Sequence, residues 1–296
     1  MILNVSGRTD IVAFYSDWFF NRLKAGFVDV RNPFNPKIVS RIKFEDVDAI
    51  LFCTKNPLPI ISRINEINKP MIFHITITPY KNDIEPNVLD KKLIIDGVKK
   101  ISEIIGKENV VVRYDPIFIS DKYNLEYHIK AFGKLCDLLS GYVDKIIVSF
   151  IDDYKNVRKN EKYLGYKEFT ESDYEVLGKN FSKSAHRNNI MVHTCFEERN
   201  LTEYGFNRGE CMSKSLAYKL TGKVFNQKWN ARKEGKCKCV AMVDIGVYNT
   251  CNHLCKYCYA NFDEDSVKIN FKKHDPNSSL LIGNLEKDDI IKERFK

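Results

Sequence analysis

The sequence predicts an α/β fold of barrel type, full or partial, and three observations carry that expectation. Short runs rich in Val, Ile and Phe alternate with longer amphipathic stretches over the first two thirds of the chain. Such alternation implies parallel strands joined by right-handed helical crossovers. Several runs are apolar on both faces, as a sheet covered by helices requires. The runs also number eight, the strand count of a (β/α) barrel.

The first strand is read at Leu3–Ser6, followed by a helix over Asp10–Ala25 that Thr9 or Asp10 can cap. Phe27–Val30 and Ala49–Cys53 are the second and third strands, with Asn56–Ile67 a helix. Met71–Thr78 is the fourth strand, and the helix after it, Asp90–Ile105, ends on Gly106. Val110–Tyr114, Leu125–Ser140 and Lys145–Phe150 read as strand, helix and strand. Thr170-Glu171-Ser172-Asp173 opens a helix to Asn188, before strands at Ile190–Cys195 and Val240–Ile245. The helices rest on apolar residues at three- and four-residue spacing. This gives a barrel body over 1–194, a cysteine-rich section completing it over 195–262, and a polar tail over 263–296 that wraps the surface or stays loose.

Composition narrows the class. With 44% hydrophobic and 12% aromatic residues, the 296-residue chain can offset the entropy of ordering, which excludes disorder. No apolar run approaches the ~18 residues of a membrane span. The start, MILNVSGRTDIVAF, lacks a basic region and a small-residue cleavage site, so a soluble cytoplasmic protein is expected. The net charge of +8 is spread along the chain; it admits a polyanionic partner without requiring one.

Ligands of such folds sit on the loops that follow the strands. Here those loops are polar: Ser6–Asp10, Arg31–Pro36, Thr54–Pro57, Thr76–Tyr80, Arg113–Pro116 and Thr194–Glu198. Asn-Pro and Asp-Pro steps initiate turns, and Arg113 and Asp115 can be a structural ion pair. Taken together, six such loops on one rim suggest a lined pocket. Arg8, Asp10, Lys55, Arg113 and Asp115 would supply its charge, Arg113 by holding a carboxylate or phosphate and Asp115 by relaying a proton.

The nine cysteines are the informative count. Cys53 and Cys136 stand alone, whereas Cys195, Cys211, Cys237, Cys239, Cys251, Cys255 and Cys258 fall late in the chain. A secreted disulfide framework does not suit a chain with no export signal and a large core, so the clustering points to metal or redox chemistry. Cys251, Cys255 and Cys258 form CxxxCxxC. Three thiolates so spaced can hold three irons of a [4Fe–4S] cluster and leave the fourth open to a small molecule.

That motif, with Tyr257 just before its third cysteine, resembles the radical S-adenosylmethionine enzymes. The resemblance implies a full or partial α/β barrel and S-adenosylmethionine chelated at the open iron. It also implies Tyr257 near the adenine, a 5′-deoxyadenosyl radical, and an external electron donor such as flavodoxin or ferredoxin. In most of that superfamily the motif follows the first strand; here it follows the last, which a circularly permuted barrel would reconcile. The segments SGRTDIVAFYSDWF, VRNPFNP, FCTKNP, ITITPY, IEP, RYDPI and DIGVYNTCNHLCKYCYAN are similar to a prokaryotic family known as domain of unknown function 1848. CxxxCKYCYA alone resembles spore photoproduct lyase.

Cys195, Cys211, Cys237 and Cys239 are candidates for a second [4Fe–4S] cluster or a tetrahedral zinc, or they are unligated. His253 reads as a donor beside the cluster or as exposed, His74 and His193 as core residues, and His128, His186 and His274 as without signal. Lys228, Trp229, Arg232, Lys233, Lys236 and Lys238 could hold nucleic acid or shield an anionic cluster. Two other functions stay open: an iron–sulfur redox or sensing protein that does not use S-adenosylmethionine, and a zinc-stabilised nucleic-acid-binding protein.

Overall fold

The computed structural model describes every residue except 196, 198, 228–236 and 295–296. Its strands are β1 (Ile2–Val5), β2 (Phe27–Arg31), β3 (Ile38–Lys43), β4 (Ala49–Thr54), β5 (Met71–Thr76), β6 (Val110–Ile117), β7 (Lys145–Phe150), β8 (Met191–Cys195), β9 (Asn207–Gly209), β10 (Met242–Asp244) and β11 (Ile290–Glu293). The helices are α1 (Ile11–Phe14), α2 (Ser16–Ala25), α3 (Leu58–Ile61), α4 (Lys91–Ile105), α5 (Leu125–Leu139), α6 (Lys155–Lys159), α7 (Glu161–Leu164), α8 (Glu171–Arg187), α9 (Lys214–Thr221) and α10 (Glu264–Lys272).

Eight strands form one parallel sheet in the order β10-β1-β4-β5-β6-β7-β8-β9; the other three form a small sheet, β11-β3-β2. The parallel register decides which side chains share a face. Phe52, Ile75, Val112, Val148 and Val192 join one core with Ile94 and Val98 of α4, Phe132 of α5 and Phe181 of α8. The alternate residues Ile2, Leu51, Ile72, Val111, Ile147 and Cys195 form a second cluster with Met212, Val240 and Ala217 of α9. Helices thus cover one face of the sheet, and α9 covers part of the other, called here the inner face.

The mixed α/β class and the parallel sheet agree with the sequence reading, with two corrections. Phe27–Val30 is not a strand of the large sheet: β2 pairs antiparallel with β3, and Arg31–Pro36 belongs to their hairpin, not to the strand-end rim. The place in the large sheet goes to β9, whose Asn-Arg-Gly carries no apolar residue for a pattern to detect. Of the full and partial barrels expected, the described residues show no closed one. Among those residues the edges of the sheet, β9 and β10, share no strand ladder, although Val240 N donates to Met212 O at 3.0 Å between the segments flanking them. The expected neighbourhood of first and last strands does appear, since β1 pairs with β10.

Local corrections follow from chemistry. The helix expected over Asp10–Ala25 divides at Tyr15 into α1 and α2, with Asp10 capping α1 through Ala13 N. The one expected over Asn56–Ile67 shrinks to α3 and a short 3₁₀ turn, where Pro57 and Pro59 remove backbone donors. Thr170 and Asp173 form the capping box of α8. The tail is ordered through α10 and β11 and seats on the first helices: Trp18 Nε1 donates to the carbonyl oxygens of Ser278 and Leu280. Among the described residues no helix is long and apolar enough to cross a membrane.

Candidate cysteine-lined site

At the C-terminal edge of the sheet, β10 hands the chain to the CxxxCxxC loop. The hand-over is tight. Asp244 accepts from Asn4 Nδ2, Ser6 Oγ, Gly7 N and Gly246 N at 2.7–2.8 Å, tying β10 to the exit of β1. A β-carbon at Gly246 would fall 1.9 Å from Ser6 Oγ, so only glycine lets the two exits pass.

Neighbouring elements clamp the loop by its backbone. Tyr15 donates to Thr250 O at 2.6 Å, Asn87 Nδ2 to Asn252 O at 2.8 Å, and Lys256 N to Ile84 O at 2.9 Å. Asn156 Nδ2 reaches Tyr259 O and Asn261 O, and Asn160 Nδ2 reaches Lys256 O at 2.7 Å. Asn261 Nδ2 closes the loop on Cys251 O at 2.7 Å. Between the first two cysteines Leu254 turns with φ of 56°. That left-handed conformation costs a residue bearing a β-carbon about 1–2 kcal/mol.

Burial pushes the thiols of Cys251, Cys255 and Cys258 up, Cys255 to about 12. Charge from its two partner cysteines and from Asp10 adds to the rise at Cys251. Three thiolates in this place need compensating positive charge. Among the described residues no three His, Cys, Asp or Glu side chains stand as a preformed set for one metal ion. A [4Fe–4S] core instead gives each cysteine its own iron, which fits one buried and two half-buried thiols on one loop.

Beside the loop lies a buried carboxylate. Glu85 Oε1 accepts from Lys55 Nζ at 2.9 Å, from Thr78 Oγ1 and from Tyr257 OH, and Oε2 accepts from Lys91 Nζ. Burial alone would raise Glu85, but the two ammonium groups outweigh it and bring the carboxyl down to about 2. Lys55 Nζ also stands 5.5 Å from the centre of the Tyr257 ring. Asp10 accepts from Ala13 N through one oxygen and from Lys55 N through the other, which also faces His253 Nε2 at 2.8 Å. His253 is therefore buried and joined to Asp10 rather than exposed.

Further along the inner face, Arg113 binds Asp115 through Nε at 3.0 Å and through Nη2, and Ser149 Oγ adds a bond to the same carboxylate at 3.3 Å. Arg113 Nη1 also donates to Cys211 Sγ at 3.0 Å. Cys195 and Cys211 bring their sulfurs to 3.0 Å, and Met212 N donates to Cys239 Sγ at 3.4 Å. Hydrogen bonds from Cys195 and Cys239, with the Arg113 guanidinium, hold the Cys211 thiol well below the usual thiol range. Cys239 is pushed up, chiefly by its sulfur contacts with Cys211 and Cys237. His74 stands against Cys211, and Cys53 Sγ reaches Asn4 Oδ1 at 3.6 Å.

Of the residues chosen from the sequence, Cys251, Cys255, Cys258, Tyr257, Lys55 and Asp10 meet in one region, linked through Glu85 and His253. Arg113 and Asp115 join Cys195, Cys211 and Cys239 in a second. Arg8 sits on the β1 exit, its guanidinium 5.3 Å from the centre of the Tyr248 ring. Phe196 and Glu198 of the rim, and Lys228, Trp229, Arg232, Lys233 and Lys236, lie outside the described residues. Pattern reading passed over Glu85, Asn156, Asn160 and Asp244. The short segment Ile84-Glu85-Pro86 was the only signal for the first. His128, read as uninformative, is buried against Tyr114 and Phe118.

No curated protein and no solved structure is matched by this chain. A family model does match, over residues 2–260, which takes in β1 through the CxxxCxxC loop; the chain belongs to the family described as Domain of unknown function (DUF1848).

Proposed function

We propose that the protein is a radical S-adenosylmethionine-type iron–sulfur enzyme in which Cys251, Cys255 and Cys258 hold a [4Fe–4S] cluster. The observation that carries this reading is the gathering of three CxxxCxxC thiols, Cys255 buried and Cys251 and Cys258 half-buried, on one clamped loop at the C-terminal edge of a parallel sheet. When bound, the cluster and S-adenosylmethionine supply one-electron cleavage of the sulfonium, with electrons from a flavodoxin- or ferredoxin-type donor, and a carbon radical that takes hydrogen from substrate.

The chain's own residues supply the setting. The backbone clamp from Asn87, Asn156 and Asn160 holds the loop that would present the three ligands. Lys55 places positive charge toward Cys255 and is itself held by Glu85. Tyr257, anchored by Glu85, presents its ring beside Lys55 as a packing surface for the cofactor. On the inner face, Arg113 binds and orients an anionic group of the substrate, and Asp115, accepting from Arg113 and Ser149, fixes the guanidinium for that task.

The test uses anaerobic protein with its cluster reduced. S-adenosylmethionine should change the electron paramagnetic resonance spectrum and yield 5′-deoxyadenosine, and Cys255→Ala should abolish both. An unchanged spectrum with no 5′-deoxyadenosine would overturn the reading in favour of an iron–sulfur redox protein.

A further inference from the structure

The second cysteine set belongs to a different place and a different spacing from the first. Three chain segments deliver it to the inner face: Cys195 ends β8, Cys211 follows β9, and Cys237 and Cys239 precede β10. These are the segments at the open seam of the large sheet, where the backbone bond from Val240 N to Met212 O bridges the two edges. Sulfur meets sulfur from Cys195 to Cys211 at 3.0 Å, then from Cys211 to Cys239 and from Cys239 to Cys237. That separation is too long for a disulfide bond of about 2.05 Å.

Donors converge on the same sulfurs: Arg113 Nη1 on Cys211 at 3.0 Å and Met212 N on Cys239 at 3.4 Å. N–H donors and a guanidinium suit thiolates rather than thiols. Several thiolates in contact require a cation among them. We infer that Cys195, Cys211, Cys237 and Cys239 form a tetrathiolate zinc site that staples the β9 edge of the sheet to its β10 edge.

Spacing selects the metal. Zinc–sulfur bonds of about 2.3 Å put tetrahedral ligands ~3.8 Å apart. As they stand the four sulfurs are not drawn around one point; the Cys195–Cys211 pair, at 3.0 Å, must part by less than about 1 Å and the others turn inward to take the ion, shifts within side-chain torsion. An iron–sulfur cluster gives each sulfur its own iron and needs them wider still. The staple fixes β10, and β10 carries the CxxxCxxC loop, so the two cysteine sets are joined mechanically without sharing a ligand.

Zinc and iron content of anaerobically purified protein test this independently of the radical chemistry. The wild type should carry about one zinc per chain besides its iron. Cys251→Ala/Cys255→Ala/Cys258→Ala should lose the iron and keep the zinc. Cys195→Ser/Cys239→Ser should drop zinc to about a tenth or less. Should that double variant not fold, cobalt exchanged into the triple variant should show the intense thiolate charge-transfer bands of four sulfur ligands. A triple variant without zinc or cobalt bands would overturn the inference. So would a second set of irons in the wild type, or a Cys195–Cys211 disulfide in the protein as purified.

Discussion

His128 is a histidine whose surroundings dictate its tautomer. Its Nε2 lies 2.9 Å from the Phe118 carbonyl oxygen, which can only accept, so Nε2 carries the proton. Nδ1 then accepts from the Tyr114 hydroxyl at 2.9 Å, and a second proton has no place there. Burial accordingly brings the imidazole down to about 4. Because the folded value lies below the unfolded one of about 6.5, the unfolded chain binds the proton first as pH falls. The contribution is full above pH ~6.5 and lost on the way down through ~4, costing about 2–3 kcal/mol by pH ~4.5. Between pH 7 and pH 4.5 the wild type should lose about 2–3 kcal/mol more stability in urea unfolding than His128→Gln does; equal losses would refute it. Glu85 titrates lower, its stabilisation present above about pH 4.5 and lost toward about 2; burial also pushes His74 and His193 down and Glu197 up to about 7, so the comparison with His128→Gln, not the wild-type loss by itself, reads His128. Its own prediction concerns charge. Glu85→Gln strands Lys55 and Lys91 without their shared carboxylate and should cost about 3–5 kcal/mol in the same urea assay at pH 7. A loss under 1 kcal/mol would show that the ammonium groups find water instead.

At the level of elements, the cysteine loop depends on helices far from it in sequence. Asn156, buried in α6, donates to two carbonyl oxygens of the loop's exit. Asn156→Ala leaves those acceptors unpaired, at about 1–3 kcal/mol. Faster amide exchange over residues 256–262 and a lower iron content per chain should follow, and unchanged exchange would refute the clamp. Gly246→Ala should be harsher, because its β-carbon would collide with Ser6 at the β1–β10 junction. The sequence revealed some of this and concealed the rest for physical reasons. Strands β4 to β8 were legible because a sheet buried on both faces demands continuous apolar runs. Phe27–Arg31 shows the same apolar signal, yet it belongs to a side sheet, and a pattern along one chain carries no information about its pairing partner. Three-residue β9 has no apolar residue at all. Cys251, Cys255 and Cys258 declared themselves because ligand spacing is local. Glu85 and Asn156 act on partners 172 and about 100 residues away, where spacing means nothing.

For the whole molecule, the family match ends at residue 260, but the fold does not. The segment beyond it returns to the first third of the chain. Trp18, fully buried, donates to Ser278 O and Leu280 O, Arg22 to Asn277 O, and Asp29 N to Ser279 O. β11 adds an edge to the small sheet beside β3, and Arg31 closes on Asp289. Leu280 and Leu281 are buried, and burying two such side chains contributes roughly 1.5–3 kcal/mol each. The clamps on the cysteine loop, by contrast, come from Tyr15, Asn87, Asn156 and Asn160 and from Asn270 of α10, which donates to Asn249 O at 3.0 Å, and all of these lie before residue 275. Stability and iron binding should therefore separate on truncation. A chain ended after residue 274 should lose on the order of 10 °C in Tm, taking about 2–4 °C per kcal/mol. Its Trp18 fluorescence should shift to the red as the indole meets water, while iron per chain stays near that of the full chain. An unchanged Tm would show that the tail merely lies on the surface. A loss of iron in step with Tm would show that the strap, through Tyr15 and Thr250, also holds the cysteine loop.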